Sequence, residues 1–148
     1  MNWSQRASAV SAAPPQRVWD VLLDGRRWSF WNPGVEWMWL EGEPAAGTLA
    51  TIKLQRVRQT AFVIREALAP QRFALELTVG PVARLALSWT LTEHDAGTRI
   101  EAEVAIAGIA AGVLLARSAE RVARALPEHV ERLAARAADE REKNARLE

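Results

Sequence analysis

Apolar positions recur along this chain with two different periods, and the changes between them divide it into segments. From Arg6 to Ala12, the residues Ala7, Ala9 and Ser11 alternate with Ser8, Val10 and Ala12, the period of a short strand. Pro14-Pro15 ends it and opens a helix, since proline suits a first helical turn. Val18, Trp19, Leu22 and Leu23 follow at helical spacing until Asp24-Gly25, and Arg26 to Trp31 reads as a second short helix closed by the Asn32-Pro33-Gly34 turn. From Val35 the period becomes two: Val35, Trp37 and Trp39 are expected on one face of a strand, with Glu36, Met38 and Leu40 on the other. Further strands are expected over Thr48 to Arg56, Gln59 to Leu68, Arg72 to Val79, Ala83 to Thr92 and Thr98 to Ile106. They are separated by turns at Pro44 to Gly47, Ala69-Pro70-Gln71, Gly80-Pro81 and Asp95-Ala96-Gly97.

Six consecutive strands on short turns make an antiparallel meander with one apolar face, and that face needs a cover. The remaining long element runs from about Ile109 to Glu142, where Leu115, Ala119, Val122, Leu126, Val130, Leu133 and Ala137 recur at spacings of three and four. Pro127 lies inside it and predicts a kink near Ala123 to Leu126. With the first strand the count reaches seven. The expected architecture is α+β, in one domain over residues 1–148 whose tail, 140–148, frays.

The stretch from Val10 to Leu22 contains Ala13-Pro14 and Val18-Trp19; Asp24, then Trp28-Ser-Phe-Trp31-Asn-Pro33, and later Gly97-Thr98-Arg99-Ile100 follow it. In this order the motifs resemble the SRPBCC superfamily (Bet v 1-like, START-like), within it the polyketide cyclase/dehydrase-like group, over about Ser8 to Ala138. The resemblance implies a helix-grip fold: a seven-stranded antiparallel curved sheet wrapped around a long C-terminal helix, with two short helices after strand 1. It further implies an apolar cavity for a small hydrophobic, lipid- or polyketide-like molecule. Trp28, Trp31, Trp37, Trp39, Phe62, Phe73, Leu75, Leu87, Trp89, Val122 and Leu126 are the expected ligand-binding residues. Members of the superfamily carry such molecules, cyclise or dehydrate them, or are chaperone partners. Fold alone therefore leaves a carrier, a cyclase or dehydratase, and a protein-interaction module using its sheet edge or long helix all open.

Composition narrows the chemistry. Hydrophobic residues make up 49% of the 148 and charged ones 25%, which excludes global disorder. There is no cysteine, which removes disulfides, thiolate metal sites and cysteine nucleophiles, and no tyrosine. Two histidines, His94 and His129, make no zinc site, so neither metal nor other cofactor is expected. The net charge of +1 carries no field for nucleic acid. All but two of the 19 basic residues are arginine, interleaved with glutamate on the long helix as on a solvated face. Met1 to Ser8 lacks the apolar run of a signal peptide, and Ala105 to Ala116 falls short of the ~20 residues that span a bilayer. A cytoplasmic protein without stable membrane insertion is expected, with homodimerisation left open.

Nucleophile-elbow, P-loop and dinucleotide motifs are absent, so any catalysis would be proton transfer. His94 falls in a hairpin and is read as exposed. His129, between Leu126 and Leu133, flanks the apolar helix face. Strict alternation places Glu66 on the side of Phe62 and Ile64. These two, His129 and Glu66, are the candidates for moving a proton, each with structural packing or solvent exposure as the simpler reading. Tryptophan is the compositional signature, 7 against 3 phenylalanines, and its N–H seeks a partner wherever the ring is buried.

Overall fold

The computed structural model describes residues 2–32, 35–54 and 59–147, without the side chains of 54 and 140–147. Among them the strands form one antiparallel sheet of seven, ordered β1-β7-β6-β5-β4-β3-β2. They are β1 (Trp3–Ser11), β2 (Val35–Leu40), β3 (Leu49–Leu54), β4 (Thr60–Leu68), β5 (Arg72–Val79), β6 (Ala83–His94) and β7 (Gly97–Ala107). Helix α1 (Pro15–Leu23) and a 3-10 helix (Gly25–Phe30) connect β1 to β2, and α2 (Ala111–Leu114) and α3 (Ala116–Leu147) complete the chain. This is the helix-grip arrangement expected from the motif order, with α3 packed on β1, β7 and α1.

The C-terminal segment departs from expectation in one respect. It is not one helix from Ile109: Gly108, at φ +115°, turns the chain out of β7, and a break at Leu115 separates α2 from α3. The helical pattern then continues through an exposed Pro127 to Leu147. The Pro33-Gly34 turn and the end of the third strand at Gln55-Arg56 lie outside the described residues, as does Glu148.

Gly97-Thr98 has a concrete task. A Cβ on Gly97 would collide with the backbone of Ser11, so only glycine lets the start of β7 lie this close to the end of β1. The Thr98 hydroxyl donates to the Ala13 carbonyl at 2.8 Å, and the Ser11 hydroxyl donates to the Ala134 carbonyl of α3 at 2.7 Å. Both hydroxyls are buried, so these bonds fix β1, β7 and the long helix to one another where water does not compete.

Candidate functional site

The concave side of the sheet, α1, the 3-10 helix and α3 converge on six rings. Trp28 and Trp31 come from the 3-10 helix and its C-terminal cap, Trp19 from α1, Phe73 from β5, Trp89 from β6 and His129 from α3. Phe73 and Trp89 are cross-strand partners, stacked at 5.8 Å between centroids. Trp89 also stacks on His129 at 5.6 Å, while Trp31 meets the same imidazole edge-on at 4.8 Å. Trp28 touches both Trp31 (5.2 Å) and Trp89 (5.7 Å), and Trp19 caps Phe73 at 6.1 Å. All six are buried.

Three indoles of this cluster meet different fates. Trp28 Nε1 donates to the Leu22 carbonyl at 2.8 Å. Trp89 Nε1 donates to His129 Nε2 at 2.7 Å. Trp31 Nε1 is buried with no hydrogen-bond partner among the described residues. Because His129 Nε2 accepts, the proton of the neutral imidazole sits on Nδ1, a tautomer assigned from this bond. Burial lowers the His129 pKa from 6.5 to about 3, since the imidazolium would lose its hydration. At neutral pH the group is an uncharged acceptor held by an indole.

Of the residues expected to line a cavity, Trp28, Trp31, Phe62, Phe73, Leu75, Trp89 and Leu126 are buried on the core side, and Leu87 and Val122 pack half-buried against them. Trp37 and Trp39 do not join them. A β-bulge between Val35 and Trp37 takes up one extra residue, so Val35, Met38 and Leu40 face the core instead. Trp39 is 51% exposed with the Arg26 guanidinium 5.9 Å from its ring centre, and Trp37 lies two residues away on the same outer face.

Glu66 is corrected for the same reason. A bulge between Ile64 and Glu66 sets Ala67, not Glu66, opposite the buried Phe73. Glu66 turns outward to Arg72 at 3.3 Å, and Arg72 donates to Thr90 at 2.7 Å. The two candidates for proton transfer are therefore not brought together. His94 is exposed at the hairpin beside Asp95. No group of three or more potential metal ligands occurs among the described residues.

A cleft of about 120 Å³ reaches Trp31 from outside, between α1, the 3-10 helix and α3. Its charged walls are Arg17, Asp20, Asp24, Arg27 and Arg136. Sequence reading missed this set because arginines and aspartates at helical spacing look like an ordinary solvated face. Their convergence depends on α3 crossing α1 more than a hundred residues later in the chain.

A family model described as "Polyketide cyclase / dehydrase and lipid transport" matches residues 3–138. Comparison with curated proteins by sequence finds no match. Several solved structures share the fold. The Zhui aromatase/cyclase from Streptomyces sp. R1128 superposes with a TM-score of 0.65 at 18% identity, covering 93% of this chain and 94% of the other. The TTHA0849 protein from Thermus thermophilus gives 0.66 at 18%, covering 91% and 97%. The di-domain aromatase/cyclase StfQ from the steffimycin biosynthetic pathway gives 0.72 at 15%, covering 97% of this chain and 53% of that one. At these identities the likeness establishes the fold.

Proposed function

The chain belongs to the polyketide cyclase/dehydrase and lipid transport family, and from that premise we propose that it binds and carries a small, mostly apolar molecule bearing a hydrogen-bond acceptor. The observation that carries this reading is the orphaned indole of Trp31. A buried donor without a partner costs about 1–3 kcal/mol. A ligand carbonyl placed against it recovers that cost, inside a wall of rings suited to a planar or lipid-like body. The adjacent cleft is too small for a steroid-sized body, so entry requires the 3-10 helix to move away from α3, with ligand binding favouring the open form.

The family name and the aromatase/cyclase neighbours also bring a cyclase or dehydratase reading. His129 weakens it: with a pKa of about 3 and Nε2 occupied by Trp89, it neither takes up nor releases a proton near neutral pH. The carrier reading needs no such step.

The test uses a panel of sterols, apolar ketones and aromatic polyketides, read by tryptophan emission, thermal shift and mass spectrometry of the recovered ligand. A carrier is stabilised by about 2.7 kcal/mol at a hundredfold excess over Kd and returns the molecule unchanged. Trp31→Phe keeps a ring but deletes the donor; it should weaken carbonyl ligands about tenfold while leaving the free protein at least as stable. No saturable response from the wild-type protein to any member of the panel sinks the reading. Chemical conversion of the ligand replaces it with the enzymatic one.

A further inference from the structure

The end of the sheet remote from the Asp95 hairpin differs in character from the rest of the surface. There β7 runs out at Ala107, and α2 lies against the β5–β6 turn, with Ala110 N–H donating to the Val82 carbonyl at 2.9 Å. Gly108 packs so closely on Val82 and Ala83 that a side chain would not fit. Ala111 and Leu115 are buried and anchor the segment from below. What it holds outward is aliphatic: Ile109 is 91% exposed, Val113 89% and Leu114 49%. Val79, the last residue of β5, and Pro81 on the turn that follows are exposed as well.

The charge at this end has one sign over a long stretch of chain. No Asp or Glu occurs from Leu77 to Thr92 or from Val104 to Ala119. The charged side chains in those two stretches are Arg84 and Arg117, both exposed; the first carboxylate to follow is Glu120, flanked by Arg121. The opposite end of the sheet, by contrast, presents Glu41, Glu43, Glu93 and Asp95 to solvent. From Val104 to Ala116 there is no polar side chain at all.

The geometry points to this end as a docking surface for an anionic lipid bilayer, with Ile109, Val113 and Leu114 entering the boundary between headgroups and acyl chains, and Arg84 and Arg117 resting on the phosphates. Projecting aliphatic side chains bordered by arginine match the layered polarity of that boundary. A protein partner is the poorer fit, because protein interfaces carry about one hydrogen bond per 100–200 Å² and this segment offers no side chain to make one. The docking is peripheral: no helix of the described residues is long and apolar enough to cross a membrane. It stands apart from the proposed ligand site, and either can fail alone.

Flotation with phosphatidylcholine vesicles, with and without about a third phosphatidylglycerol, tests it. Wild-type protein should float with the anionic vesicles and fall away as salt is raised. The double variant Ile109→Ser/Val113→Ser should lose about tenfold in partitioning, and Arg84→Glu/Arg117→Glu should lose the preference for anionic lipid. Leu68→Ser, an exposed apolar position on another part of the sheet, should change nothing. Because these side chains are exposed, folding is not at stake, and tryptophan emission reports the ligand site separately. Absence of vesicle binding at low salt overturns the proposal. So does equal flotation of the wild-type and Ile109→Ser/Val113→Ser proteins. A wild-type dimer in sedimentation that the same double variant dissolves also overturns it, in favour of a second copy as the occupant.

Discussion

Trp89 on β6 and Trp39 on β2 both follow an alternating apolar pattern, yet one is 3% exposed and bonded to His129 while the other is 51% exposed beneath an arginine. They stand for the two halves of the sheet. Through β1, β7, β6 and β5 the pairing register is unbroken, and α3 lies on β1 and β7. In β4, β3 and β2 the register shifts twice, and the 3-10 helix lies on β2. Alternation tells which side chains point inward only while no residue is inserted. In the first half it therefore identifies core residues; in the second it fails beyond each bulge.

The sharpest way to break this comparison is at Trp89. Trp89→Ala removes a ring that touches Phe73, Trp28 and His129 and strands the His129 acceptor, so it should cost about 3–5 kcal/mol in chemical denaturation. A cost below about 1 kcal/mol would mean that the unbroken half is no more tightly built than the other.

The next effect is one of pH. Below pH 6.5 the unfolded chain protonates His129, whereas the folded chain holds it neutral down to about pH 3. Unfolding takes up a proton in that window, so stability falls as pH falls, at about 1.4 kcal/mol per unit, and this contribution is constant above it. Between pH 6.5 and about 5 the loss should reach about 2 kcal/mol, and His129→Gln, which retains an acceptor for Trp89, should abolish it. Parallel stability–pH curves for the two proteins would contradict the buried, neutral state of the imidazole.

The smallest effects belong to the bulged half. Glu66→Gln should change stability by less than about 0.5 kcal/mol, since the group is a surface ion pair, and Trp39→Ser should cost about 1–2 kcal/mol, since half of its ring is already in solvent. A loss of about 4 kcal/mol for Trp39→Ser, the size expected of a fully buried ring, would show that the outer face of β2 is covered in solution.

These two residues also mark the limit of what could be read from sequence. The order of elements was legible because the period changes sharply at Pro14, Val35 and Gly108. Gly97-Thr98 stood out as a motif, but its approach to Ser11 and Ala13 did not, because a contact across so long a stretch of chain leaves no local pattern. His129 could be placed near the apolar face from its spacing to Leu126 and Leu133. Its bond to Trp89, 40 residues away, leaves no local trace. The missing partner of Trp31 is equally silent, since an unsatisfied donor is a property of the packed core and not of the residue. The bulges escaped for a different reason: the spacings Val35, Met38, Leu40 and Phe62, Ile64, Ala67 each contain one step of three, which a strict period of two overrides.

That step of three makes length a variable of its own in β2 and β4. At most positions in a strand, loss of one residue turns over every side chain beyond it and exchanges inside for outside. At a bulge two residues already stand where one suffices. Removing Arg65, or one of the pair Glu36 and Trp37, would restore regular pairing while leaving Ile64, Ala67, Val35, Met38 and Leu40 on the faces they now occupy. The two bulges are thus the places in these strands where descendants of this sequence can differ by a deleted codon and keep the same interior.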